Sequence, residues 1–133
     1  MPLPLPASLT ILVVDDEPTI TSALARLLRR DGATVETAGN GQGALARLQT
    51  RCYDVILCDL LMPTLDGATF YALLTRQYPA LRQRVIFLTG DTLAADSMAF
   101  LMQCGQPWLC KPCTAAAVRS AIQQMLHVTG ISV

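Results

Sequence analysis

The sequence predicts an α/β domain built on a doubly wound parallel sheet, and three observations predict it. Apolar runs of strand length alternate five times with segments of helical period, and the connections between them are short. Such alternation builds parallel sheets through right-handed crossovers. Four of the runs also end on a residue able to do chemistry: residues 9–14 lead into Asp15 and Asp16, residues 55–58 into Asp59, residues 85–88 into Thr89, and residues 108–110 into Lys111. The crevice of an open α/β sheet lies beyond the carboxyl ends of its strands. All five side chains therefore belong on one rim.

Each element has its own signal. Residues 1–8, MPLPLPAS, carry proline at alternate positions and read as an extended tail or linker. Residues 9–14 form an unbroken apolar run, as a strand covered on both faces requires. Pro18 suits the first turn of a helix. That helix carries Ile20, Ala23, Leu24, Leu27 and Leu28 on one face and stops at Asp31-Gly32. A short strand over 33–37 and a Gly39-Asn40-Gly41 turn precede a second helix marked by Ala44, Leu45 and Leu48, ending near Arg51.

Residues 53–58 make the central strand, and Met62, Pro63, Asp66 and Gly67 signal the turn after it. A third helix from Gly67 carries Phe70, Leu73 and Leu74 and closes at Tyr78-Pro79. Residues 84–88 are the fourth strand and about 92–104 the fourth helix, which Gly105 breaks. Residues 108–110 make a short fifth strand. Thr114 caps a last helix with Val118, Ala121, Ile122 and Met125 on one face.

Composition narrows the classes. The chain has 133 residues, of which 52% are hydrophobic and 15% charged, which suits one globular domain with a sizeable core. No apolar stretch reaches the roughly 18 residues that span a bilayer, so a cytoplasmic domain without membrane contact is expected. Ten basic and ten acidic residues cancel, so no net field favours nucleic acid. The only lysine is Lys111, at the proposed rim, where a compact ammonium can meet an anion.

Four stretches, ILVVDDEP, CDLLMPTLDG, FLTGD and WLCKP, occur in order at successive strand ends. In these the chain resembles the receiver domain of two-component response regulators, over residues 9–128, with 129–133 left as a C-terminal tail. The resemblance implies a flavodoxin-like (βα)5 sheet of strand order 2-1-3-4-5. It implies Asp59 as phosphoacceptor for the phosphohistidine of a histidine kinase or phosphotransfer domain. Asp16 and Asp59 would bind Mg²⁺ directly, with Mn²⁺ as the alternate ion, Asp15 largely through water, and the Leu61 backbone carbonyl would add an oxygen.

The chemistry agrees with those roles. Three clustered carboxylates push a proton onto one of their number unless a cation is present, and hard oxygen ligands in an incomplete cage suit Mg²⁺. A carboxylate can attack phosphorus to give an aspartyl phosphate, and phosphoryl transfer needs charge neutralisation and alignment, here from Lys111 and the Thr89 hydroxyl. Trp108 holds the family's aromatic switch position, so Thr89 and Trp108 are expected to reshape the surface of helix 4, strand 5 and helix 5 for a downstream protein or dimer partner. The LTGD and GQPWLCKP wording favours the receiver of a hybrid histidine kinase over a free single-domain regulator.

Other constellations carry less. Cys110-Lys-Pro-Cys113 has the spacing of a thioredoxin-like redox pair, but one helix follows it where that family has further sheet. Cys104, Cys110 and Cys113 lack a second ligand pair for Zn²⁺. His127 is a helix-end residue. Met98, Phe100, Leu101 and Met102 cannot all point inward from helix 4, which marks a partner or dimer face there. Asp59 is followed by Leu60 and Leu61, unlike a phosphatase whose Asp nucleophile is paired with a second acid.

Overall fold

In the computed structural model, which describes residues 9–62, 65–90 and 95–128, the elements are β1 (Thr10–Val14), α1 (Pro18–Arg30), β2 (Thr34–Ala38), α2 (Gly41–Leu48), β3 (Val55–Asp59), α3 (Gly67–Gln77), β4 (Val85–Thr89), α4 (Ala95–Cys104), β5 (Trp108–Cys110) and α5 (Ala115–Val128). The strands pair in parallel in the order β2-β1-β3-β4-β5. This is the flavodoxin-like arrangement expected from the sequence. Its topological switch point lies between β1 and β3.

Every residue of β3 and β4 is buried, which is why these runs are continuously apolar instead of alternating. Successive side chains serve opposite layers. Ile11, Val13, Val55, Leu57, Ile86 and Leu88 pack with Leu24 and Leu28 of α1 and Val118 and Ile122 of α5. Leu12, Val14, Ile56, Cys58, Val85 and Phe87 pack with Ala44 and Leu48 of α2, Phe70 and Leu74 of α3 and Leu101 of α4. In the second layer Tyr71, Phe87 and Phe100 meet edge to face, with ring centroids 5.3 to 5.9 Å apart.

Local chemistry sets the helix starts. Pro18 opens α1. Asn40 Oδ1 accepts from Gly43 N at 2.7 Å, Asp66 Oδ1 from Thr69 N at 2.8 Å, and Thr114 Oγ1 from Ala117 N at 3.0 Å. These side chains satisfy N–H groups that a helix's first turn leaves unpaired. Asn40 and Asp66, read from sequence as turn residues, thus also launch helices.

Strand and helix bounds differ from the sequence reading by small amounts with visible causes. β3 begins at Val55 and includes Asp59, because Asp54 instead accepts from Thr10 N through Oδ2 at 2.9 Å. α2 ends at Leu48, where Thr50 Oγ1 turns back to donate to Arg47 O. Beyond α3, Pro79–Leu81 forms a 3₁₀ turn where only a stop was expected. The turn residue Pro63, the start of helix 4 at Thr92 and Leu93, and the segments 1–8 and 129–133 lie outside the described residues. Among the described residues no helix is long and apolar enough to cross a membrane.

Candidate functional site

Parallel strands carry their terminal residues to one edge, and the register does the alignment. Val14 lies opposite Cys58, Asp59 opposite Leu88, and Thr89 opposite Cys110. Asp15 and Lys111 each follow a strand by one residue, and Lys111 N donates to Thr89 O at 2.6 Å. Asp15, Asp59 and Thr89 are buried. Asp16 is exposed.

Lys111 is the hub. Its Nζ lies 2.8 Å from Asp15 Oδ2, 3.1 Å from Asp59 Oδ2 and 3.5 Å from Glu17 Oε1. Asp59 Oδ1 accepts from Leu61 N at 3.3 Å, and Asp15 Oδ1 from Glu17 N at 2.9 Å. Gly67 permits the approach of α3 to this edge: a Cβ there would stand 2.7 Å from the Asp59 carbonyl oxygen and 2.8 Å from Leu60 Cα. Only a residue without a side chain fits.

Charge crowding shows in the titration behaviour. Burial, and then the Asp15 carboxylate, push Asp59 up from 3.8 to about 6 against the opposing pull of Lys111. Burial disfavours the Lys111 ammonium, but Asp15 and Asp59 outweigh it and hold its pKa above the ordinary lysine value. Asp59 therefore holds a proton more tightly than an isolated carboxylate does.

The same crowding tests the fit of a cation. Asp15 Oδ2 is buried and accepts no hydrogen bond of normal alignment; its 2.8 Å approach to Lys111 is a contact between charges without that alignment. Carboxylate oxygens of Asp15, Asp16 and Glu17 come within 4.8 Å of one another. A buried carboxylate oxygen held by Lys111, beside two exposed carboxylates, is a donor set suited to a hard divalent ion that keeps part of its water. Asp59 is not part of that group but shares the Lys111 ammonium with Asp15, and Leu61 is 60% exposed. Glu17 was not singled out from the sequence; the run of three acids, Asp15 to Glu17, was the signal available.

Thr89 Oγ1 faces β5, lying 3.5 Å from Leu109 O and 3.8 Å from Cys110 Sγ. Among the described residues, a Cβ on neighbouring Gly90 would meet nothing within 4 Å. Trp108 is half-buried and packs against the layer that contains Phe87. Its other surroundings form a cleft of about 570 Å³ with Gln83, Gln106, Pro107 and Met125. The ring thus has apolar packing on one side and space on another.

The competing constellations look different in place. Cys110 is exposed and Cys113 half-buried, and burial pushes the Cys113 thiol up. On α4, Leu101 is buried while Met98 and Met102 are 38% and 77% exposed, so part of its apolar surface does face outward.

Comparison with known proteins agrees with this geometry. Residues 11–123 match the family model described as the response regulator receiver domain. The chain is 31% identical over 123 residues to the probable transcriptional regulatory protein TcrX of Mycobacterium tuberculosis, covering 92% of this chain and 52% of that protein. It is 32% identical over 133 residues to the sensor protein EvgS of Escherichia coli, covering 98% of this chain but 11% of EvgS. The chain thus spans about half the length, or less, of these relatives. Among solved structures, a response regulator receiver domain protein from Clostridium thermocellum superposes with a TM-score of 0.82 at 32% identity, over 92% of this chain and 97% of that one. The signal receiver domain of a signal transduction histidine kinase from Syntrophus aciditrophicus gives 0.80 at 30% identity, over 91% and 92%. Sequence, sheet order and rim agree, and the chain belongs to the response regulator receiver domain family.

Proposed function

We propose that this domain accepts a phosphoryl group on Asp59 from the phosphohistidine of a histidine kinase or phosphotransfer domain. The observation that carries the reading is the contact of a buried carboxylate at the sheet's switch point with the chain's only lysine, Asp59 Oδ2 to Lys111 Nζ at 3.1 Å. In the reaction an ionised Asp59 oxygen attacks phosphorus as the phosphorus–nitrogen bond to imidazole breaks. The leaving nitrogen keeps the electron pair. Lys111 offsets charge on the phosphoryl oxygens, and the Thr89 hydroxyl, turned from β5, donates to one of them. Water attack on the acyl phosphate reverses the modification.

The carboxylates of Asp15, Asp16 and Asp59 and the Leu61 carbonyl would hold Mg²⁺, or Mn²⁺ in its place. When bound, the ion neutralises charge shared by the acids and the phosphoryl oxygens. Turning Thr89 inward frees space beside Trp108, and rotation of that ring reshapes the α4, β5 and α5 surface read by a downstream protein or dimer partner. Only contacts that differ between the two states can drive this shift.

The setting we favour is a hybrid histidine kinase. The LTGD and GQPWLCKP wording supports it, as does the likeness to a receiver that belongs to a histidine kinase. The alternative setting is a free single-domain response regulator, supported by the likeness to a response regulator receiver domain protein from Clostridium thermocellum that is covered to 97%. Intact mass after incubation with acetyl phosphate and Mg²⁺ tests the phosphoacceptor reading: one added phosphoryl group in wild type and none in Asp59→Asn supports it. Unmodified wild type contradicts it.

A further inference from the structure

Glu17 stands at the N-cap of α1, yet its side chain makes no capping hydrogen bond. Glutamate is not among the short side chains that cap a helix from that position, so its carboxylate is left to find another partner. Its carboxylate instead reaches across the rim to Lys111 at 3.5 Å and stays 56% exposed. The consequence is electrostatic. Lys111 faces Asp15, Asp59 and Glu17 together, so one ammonium is shared among three carboxylates. Asp15 and Asp59 are buried behind it, whereas Glu17 lies on the solvent side, where an anion must enter.

We infer that Glu17 is a specificity-determining residue of this site: it occupies the outward side of Lys111 and repels small anionic phosphodonors, so that entry favours a donor presented by a protein. This rests on the phosphoacceptor reading above. A phosphoryl oxygen has to take the place at Lys111 that Glu17 holds, and a dianion such as acetyl phosphate approaches against a like charge. A protein donor can offset that repulsion with contacts elsewhere on its surface. Glu17 touches no reacting atom, so it acts by controlling access to the lysine. Its effect is screened by salt, because the carboxylate is exposed.

The experiment measures beryllofluoride binding by calorimetry, at saturating Mg²⁺ and from low to high ionic strength, in wild type, Glu17→Gln and Glu17→Asp. At low salt Glu17→Gln is expected to bind the anion about three- to tenfold more tightly than wild type, the range for one screened charge near a rim. Raising salt should shrink that difference. Glu17→Asp keeps the charge and should stay within about twofold of wild type, separating repulsion from loss of a structural contact. Equal affinities for wild type and Glu17→Gln at every salt concentration would overturn the inference while leaving the phosphoacceptor reading intact. Absence of binding in all three proteins would overturn both.

Discussion

Lys111 Nζ and Asp59 Oδ2 stand 3.1 Å apart at the carboxyl edge of the sheet, with Asp15 Oδ2 on the same ammonium at 2.8 Å. The lysine is 13% exposed, so this charge cluster is largely shielded from water. Removing it should leave two buried carboxylates without a counter-charge. Lys111→Ala is expected to lose about 3–5 kcal/mol in urea unfolding at pH 7 with chelator present, the scale for breaking a buried pair. Part of that loss should return at pH 5, where a proton can take the lysine's place. A loss that is the same at both pH values would show that packing, not charge, is what the lysine supplies.

Asp59 gives a complementary pH dependence. Its carboxyl is raised from 3.8 to about 6 by burial and by Asp15. A raised acid contributes stability that is fully present below the unfolded value and lost as pH rises through the folded one. In chelator, wild type should therefore weaken relative to Asp59→Asn between pH 4 and pH 7, by about 2 kcal/mol. Adding Mg²⁺ at pH 7 should stabilise wild type more than the variant. Parallel stability curves from pH 4 to pH 7 would contradict the crowding described.

The sheet was legible in the sequence because strands buried on both faces read as unbroken apolar runs, as in residues 55–58 and 85–88. The rim was legible because parallel strands must deliver their ends together. Bounds were less so: the Thr10 to Asp54 hydrogen bond and the 3₁₀ turn at Pro79–Leu81 depend on tertiary neighbours that a linear pattern does not contain. Asp59 and Lys111 followed from strand ends plus residue type. Glu17 did not, because its contact with Lys111 joins the start of α1 to the end of β5 across the rim, and spacing is silent on that.

Gly67 offers a test of how tightly the phosphoacceptor edge is packed. A methyl at Gly67 would collide with the Asp59 carbonyl oxygen and the Leu60 backbone, and backbone cannot step aside as a flexible side chain can. Gly67→Ala should cost about 1–3 kcal/mol, as overpacking generally does, and should slow phosphorylation by acetyl phosphate. Gly90→Ala is the control, since among the described residues a Cβ there meets nothing within 4 Å. Equal stability in the two variants would show that the β3 to α3 connection yields more than its contacts suggest.

Trp108, the only tryptophan, reports on the switch. It is half-buried beside the Phe87 layer and borders a cleft, so an inward turn should reduce its contact with water. Its emission is expected to shift to shorter wavelength when beryllofluoride and Mg²⁺ are added together. An emission spectrum unchanged at saturating anion would mean that the ring keeps its place.

The most direct measurement is chemical identification of the modified residue. Protein phosphorylated with acetyl phosphate and Mg²⁺ is reduced with borohydride, which converts an aspartyl phosphate to homoserine, and then mapped by peptide mass spectrometry. Homoserine is expected at position 59 and nowhere else. Homoserine at Asp15 or Asp16, or a phosphoryl group on His127 with Asp59 unchanged, would contradict it.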